Sequence, residues 1–219
     1  MHFEILIEDP SGKKMLEGLA PKIIDSRHTY RIISYKGIGH IPKGMTNHKD
    51  AGKRLLLDKL PKLLNGYGKT QANRYNSHQE AVIIVCDLDD RCLKIFRSDL
   101  LGILNACIFK PNARFCVAIE EGEAWLLGDI QAIEQAYPRS NRATLHAYKN
   151  DSICGTWEKL ADAIYPGGSQ ALKKLGWQVV GAEKIKWADA ITPYMQPETN
   201  QSPSFRYFLD TLKNTTLHQ

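Results

Sequence analysis

Ala81-Val82-Ile83-Ile84-Val85-Cys86-Asp87-Leu88-Asp89-Asp90 is an apolar run that ends abruptly in three carboxylates. A continuous apolar run of this length reads as a strand buried on both faces of a parallel sheet, and open α/β sheets place their ligands at the carboxyl ends of such strands. Acidic residues at that position point to a metal site. Asp87 and Asp89 are two apart, so if extended geometry persists past Cys86 their side chains share a face and Asp90 points away. Two crowded carboxylates repel each other, and a divalent cation relieves the repulsion.

The elements on either side alternate between strand and helix. Phe3 to Ile7 reads as a strand, Pro10-Ser11-Gly12 breaks it, and Ser11 can cap a helix with Met15, Leu16, Leu19 and Ile23 on its apolar face. Tyr30 to Tyr35 reads as a second strand. A helix from about Asp50 to Leu64 follows, ended by Gly66-Tyr67-Gly68. After the central run, Leu93, Phe96, Leu100, Leu104 and Cys107 recur at helical spacing. Arg114 to Ile119 gives a fourth strand, and Leu126, Leu127, Ile130 and Ile133 a further helical face. This alternation predicts an α/β fold with a mostly parallel sheet covered by helices. Beyond Tyr137 short helical pieces follow: Trp157 to Tyr165, Gln170 to Leu175, Lys184 to Met195 and Ser204 to Lys213. Residues 1–140 are therefore expected to form the α/β core, and 141–219 a small helical C-terminal extension packed on it.

The chain of 219 residues is long enough to bury a core without staples. Its five cysteines form no CxxC pair and are odd in number, so they read as reduced residues. A strand-like pattern at Met1 to Glu8 and the lack of a long apolar stretch predict neither export nor membrane insertion, and hence a cytoplasmic protein. A formal charge of +5 and a pI near 8.9 permit a polyanionic partner without requiring one.

Three acidic clusters fall at three strand ends: Glu8 with Asp9, then Asp87, Asp89 and Asp90, then Glu120, Glu121 and Glu123. In a parallel sheet these ends share one edge, so residues far apart in sequence meet there. Any one cluster alone is explained by helix capping and the helix dipole; three at three strand ends are not. Glu120 and Glu123, three apart at a helix start, are expected on one face.

Ile5-Leu6-Ile7-Glu8-Asp9-Pro10-Ser11-Gly12-Lys13-Lys14-Met15-Leu16 resembles the opening of Toprim domains, and Val85-Cys86-Asp87-Leu88-Asp89 resembles their later DxD element. The chain is also similar to a family of bacterial Toprim-like proteins with Glu-Ala-Trp-Leu-Leu, here Glu123 to Leu127, and a late Ser-Pro-Ser-Phe, here Ser202 to Phe205. The resemblance implies a Toprim/Rossmann-like sheet and Mg²⁺-dependent (or Mn²⁺-dependent) phosphodiester chemistry. It implies Asp87 and Asp89 as metal ligands, Glu8 as general acid or base, and Glu120 or Glu123 completing the shell. It further implies nucleic acid as partner, DNA preferred, and a partner ATPase in a bacterial anti-phage defence system. Asp89-Asp90-Arg91-Cys92 lacks the glycine of the DxDxxG pattern, and no tyrosine stands out as a strand-passage nucleophile, so hydrolysis is the expected reaction.

Two alternatives remain open: a non-catalytic Toprim-like regulatory or docking subunit, and a phosphatase resembling the haloacid dehalogenases. Asp90-Arg91 and the late position of Asp87 argue against the latter. Gly66-Tyr67-Gly68-Lys69-Thr70 has Leu63 where a phosphate-binding loop needs its first glycine, so no nucleotide site is expected there. His40, His48, His78 and His146 lack metal-ligand spacing and read as loop or surface residues. The four tryptophans read as core or helix-packing residues. Lys184, Lys186 and Arg206 are the cations best placed for a phosphate backbone, though solvated helix faces are the simpler expectation for them.

Overall fold

The alternating burial of the strands decides the architecture. In a computed structural model that describes residues 1–37, 39, 55–73, 79–152 and 155–217, β1 (His2–Ile7), β2 (Thr29–Ser34), β3 (Glu80–Asp87) and β4 (Ala113–Ala118) form one parallel sheet in the order β2-β1-β3-β4. Phe3, Ile5, Ile7, Ala81, Ile83, Val85, Cys116 and Ala118 face one apolar cluster, while Leu6, Val82, Ile84, Cys86, Phe115 and Val117 face another. The period of two thus places apolar side chains on both faces, as a doubly covered sheet requires.

One face is covered by α2 (Leu56–Ala72) and α3 (Leu93–Asn105), through Leu56, Leu60, Leu64, Phe96, Leu100 and Leu104. The other is covered by α1 (Pro10–Ile23), α4 (Glu123–Leu127), α5 (Ile130–Ala136), α6 (Arg142–His146), α7 (Thr156–Ile164), α8 (Gly168–Lys173), α9 (Trp177–Ile191) and α10 (Pro203–Leu217). Met15, Leu19, Trp125, Leu160, Trp187 and Phe205 from these helices belong to the same cluster as the strand residues. The C-terminal helices therefore help to close the face of the sheet that carries α1.

Several local expectations change. Asp9, not Ser11, caps α1: its carboxylate accepts from Gly12 N at 2.7 Å and from Ser11 Oγ at 2.6 Å, and Pro10 opens the helix. The expected helix start near Asp50 lies outside the described residues. Gly66 and Gly68 do not end α2, which continues to Ala72; a Cβ at Gly68 would collide with the Phe109 carbonyl, so this glycine permits a close crossing. The Gly-Lys-Thr triplet thus lies inside a helix. Leu126 to Ile133 is two helices because Asp129 starts a new one, accepting from Ala132 N at 3.1 Å and from Gln196 N at 2.8 Å.

Trp125, Trp157 and Trp187 are buried, but Trp177 is 74% exposed and touches Trp157 edge to face. Cys92 is exposed, whereas Cys86 and Cys116 are buried; His40, His48, His78 and Cys154 lie outside the described residues. Among the described residues, no helix is long and apolar enough to cross a membrane.

The two late sequence elements meet each other. The Trp125 indole N–H donates to Ser204 Oγ at 2.9 Å, Phe205 packs edge-on against Trp125, and Asn200 Nδ2 donates to the Trp125 carbonyl. Ser202 caps α10 through Phe205 N, and Asp151 receives Ser202 Oγ and Ser204 N. This network ties α4, which carries Glu123, to the start of α10.

Candidate functional site

Because β1, β3 and β4 are neighbours, their carboxyl ends bring Glu8, Asp87 and the Glu121 to Glu123 turn together. Glu8 Oε2 accepts the backbone N–H of Asp87 at 2.9 Å, a link across 79 residues of sequence. Odd-numbered residues of β3 face α1 and α9, so Asp87 projects to that side. Among the described residues, no hydrogen bond reaches its carboxylate. Glu123, in the first turn of α4, is 3% exposed.

One cation enters this cluster. Lys184 Nζ lies 3.1 Å from Glu121 Oε2 and 3.0 Å from Glu123 Oε2, with its side chain only 14% exposed. It sits on α9 four residues after buried Val180 and three before buried Trp187, so its stem follows the apolar stripe and its ammonium emerges at the strand ends. The side chains of Glu8, Asp9, Asp87 and Glu123, with Met15, Trp125 and Gly122, line a cavity of about 10 Å³. That is close to the space one water needs.

Burial dominates the electrostatics. It pushes the Glu8 carboxyl up to about 7 against the lowering effect of the Asp87 N–H, and the neighbouring Asp9 and Asp89 charges add to the rise. Burial, then Glu8 and Asp9, hold Asp87 well above the usual carboxylate range. Burial likewise raises Glu121, with Lys184 opposing. For Lys184 burial acts to lower the pKa, but Glu123, Glu121 and Asp87 outweigh it and keep the ammonium firmly charged. Carboxyls outnumber the one ammonium here, and burial favours their neutral forms.

Two of the expected ligands are engaged by other partners. Asp89 has φ +51°, so extended geometry does not persist past the end of β3, and its carboxylate pairs with Arg91 at 2.9 Å. Glu120 has φ +66° and precedes α4, which removes the helical spacing expected between it and Glu123; its two oxygens accept from Gly155 N and Thr156 N at the start of α7. At Cys92, where the DxDxxG pattern has glycine, φ is −75°, a value any residue adopts. Lys186 is 67% exposed beside Glu183, and Arg206 reaches the Glu198 and Asn200 carbonyls.

The donors that do meet are all oxygens, the chemistry Mg²⁺ and Mn²⁺ prefer. Among the described residues, no three His, Cys, Asp or Glu side chains stand close enough to ligate one ion directly. Mg²⁺ does not require that, because it commonly keeps several waters and uses one or two carboxylates. Asp87 and Glu123, with Glu8 beside them, are the carboxylates that line the shared cavity.

Lys184, for which a solvated helix face is the simpler expectation, is instead largely buried against Glu121 and Glu123. The signal for Lys184 was present: a lysine on the apolar stripe of a helix, flanked by Val180 and Trp187, needs an anionic partner.

A family model described as a domain of unknown function, DUF4276, matches residues 7–213, and the chain belongs to that family. No curated protein and no solved structure matches the chain.

Proposed function

We propose that this member of the family is a Mg²⁺-dependent (or Mn²⁺-dependent) phosphodiester hydrolase, a nuclease of Toprim type acting on nucleic acid, with DNA as the preferred substrate. The observation that carries the reading is the Glu8 to Asp87 hydrogen bond at the shared edge of a parallel sheet, with Glu123 facing the same small cavity. Asp87 and Glu123 would hold the ion, and Asp89 and Glu120, engaged with Arg91 and the start of α7, would support the loops around it. A bound Mg²⁺ supplies Lewis-acid polarisation of a phosphoryl oxygen and lowers the pKa of attacking water.

Glu8 carries the proton. Burial raises the Glu8 carboxyl in the metal-free protein, the direction that suits a general acid or base, and the Asp87 N–H fixes its orientation. Apolar Ile7, Val85 and Leu126 around the cavity limit water and strengthen these electrostatic effects. The setting we infer is the cytoplasm, beside a partner ATPase in a bacterial anti-phage defence system.

The test is cleavage of plasmid DNA and of RNA with Mg²⁺ or Mn²⁺ by the wild type and by Asp87→Ala. Metal-dependent cleavage lost in Asp87→Ala supports the reading. A second reading, a non-catalytic docking subunit, is favoured by one observation: Lys184 already neutralises part of the acidic cluster. No cleavage by the isolated chain, with activity only beside a partner in which Asp87→Ala has no effect, selects that alternative.

A further inference from the structure

We propose that Trp177 is a stacking platform for an unpaired nucleobase, so that the strand recognised beside the site is single-stranded. The inference rests on the nucleic-acid reading above and names the form of strand that is bound.

Two routes place this indole by the strand ends. α9 runs parallel to α1, since Lys14 pairs with Asp189 at 2.9 Å and Lys22 donates to the carbonyls of Thr192 and Met195. α1 begins at the carboxyl edge of the sheet, just after β1, and Lys184 meets Glu121 and Glu123 there, so the first two turns of α9 extend past that edge. Trp177 opens α9 seven residues before Lys184, on the same face of the helix and about 10 Å along its axis. The second route runs through β4. Glu120, just past its end, accepts from Thr156 N at 2.6 Å, and the next residue, Trp157, meets Trp177 with ring centroids 6.1 Å apart. On the stripe between Trp177 and Lys184 lies Gly181, where a Cβ would meet nothing within 4 Å, so the path along the helix is open.

The surroundings of the ring match a nucleotide. Buried Trp157 braces Trp177 edge to face and leaves it 74% exposed. Lys173 pairs with Glu158 at 3.0 Å and stands over the Trp157 ring, while exposed Lys174 makes no ion pair among the described residues. A nucleotide presents a π face and a phosphate, and an exposed indole beside a free ammonium recognises both. A base stacked and paired in a duplex hides its face, so only an unpaired base can lie on the ring. A lipid surface or a second copy calls for a broader apolar patch. In the exposed run 173–178, Leu175 is the one other large apolar residue, among Lys173, Lys174 and Gln178.

The test is anisotropy titration of labelled oligothymidylate, oligouridylate and a DNA duplex of equal length, in chelator so that no strand is cut. Wild type should bind one or both single strands more tightly than the duplex, the ratio of the two telling DNA from RNA, and binding should quench the intrinsic tryptophan fluorescence. Trp177→Ala should weaken single-strand binding about tenfold, the usual worth of one stacked base, and remove most of the quenching. Trp177→Phe keeps a ring and should stay within about threefold of wild type, whereas Lys174→Ala should flatten the salt dependence. If Trp177→Ala does not fold, Trp177→Gln carries the same expectation. Single-strand binding unchanged in Trp177→Ala, or duplex bound as tightly as single strand, overturns the platform and leaves the nucleic-acid reading intact. Loss in Trp177→Ala of self-association or of binding to phosphatidylserine vesicles, with oligonucleotide binding untouched, also overturns it. No binding by wild type overturns the platform, and the nucleic-acid reading falls with it only if plasmid and RNA also stay uncut with Mg²⁺.

Discussion

Glu8 Oε2 accepts the backbone N–H of Asp87 at 2.9 Å, which ties the end of β1 to the end of β3. The bond uses one oxygen of Glu8 and leaves the other available. Burial raises both carboxyls, and the bond itself opposes the rise at Glu8.

Glu8→Gln keeps an oxygen for the Asp87 N–H and removes the proton carrier. Cleavage should fall by about 10²-fold or more, the usual contribution of a positioned acid or base, while the melting temperature stays within a few degrees. Initial rates on plasmid with saturating Mg²⁺ check this. A loss under about threefold would remove Glu8 from the chemistry.

Stability of the metal-free protein should fall as pH rises from about 5 to 7. Glu8 titrates near 7 in the native state against an ordinary 4.5, so across that window the native state holds more protons than the unfolded chain and unfolding becomes easier with rising pH. Thermal melts with a chelator should show the slope. Glu8→Gln should reduce it, the raised Asp87 and Glu121 carboxyls keeping the remainder, and added Mg²⁺ should raise the melting temperature most above pH 7.

Lys184→Ala leaves Glu121 and Glu123 without their shared cation. Breaking one side of a buried ion pair destabilises by about 3–5 kcal/mol. Denaturant unfolding of Lys184→Ala, Glu123→Gln and the double variant should show coupling, with the double variant recovering part of the loss. Additive effects would contradict the pairing.

Gly66 and Gly68, two residues apart in α2, should respond in opposite directions. Space around Gly66 is open, so Gly66→Ala should stabilise by up to about 1 kcal/mol through helix propensity. Gly68→Ala drives a Cβ into the Phe109 carbonyl and should destabilise by about 1–3 kcal/mol. Urea midpoints of the two variants decide it.

The fold was largely legible because burial on both faces of a parallel strand leaves a run such as Ala81 to Cys86, and because Leu93 to Leu104 keeps a helical period. Glu8, Asp87 and Glu123 were legible for a topological reason: parallel neighbours share an edge. The pairing of Asp89 with Arg91 and of Glu120 with the start of α7 was not legible, since a single residue at positive φ redirects a side chain without changing the pattern of residue types. The burial of Lys184 was legible from its place between Val180 and Trp187, but its partners were not, because nothing in the local spacing says that α9 docks beside α1. The end of α2 was misjudged because Gly68 serves a tertiary contact with Phe109, which a local rule for helix ends does not contain.

The central claim, that Asp87 anchors a divalent cation between the ends of β1, β3 and β4, is tested most directly by the anomalous signal of Mn²⁺ in crystals grown with that ion. The account predicts one peak within ligating distance of an Asp87 oxygen, with Glu8 or Glu123 and waters completing the shell. A peak whose ligands omit Asp87, or no peak at a Mn²⁺ concentration that supports cleavage, would contradict it.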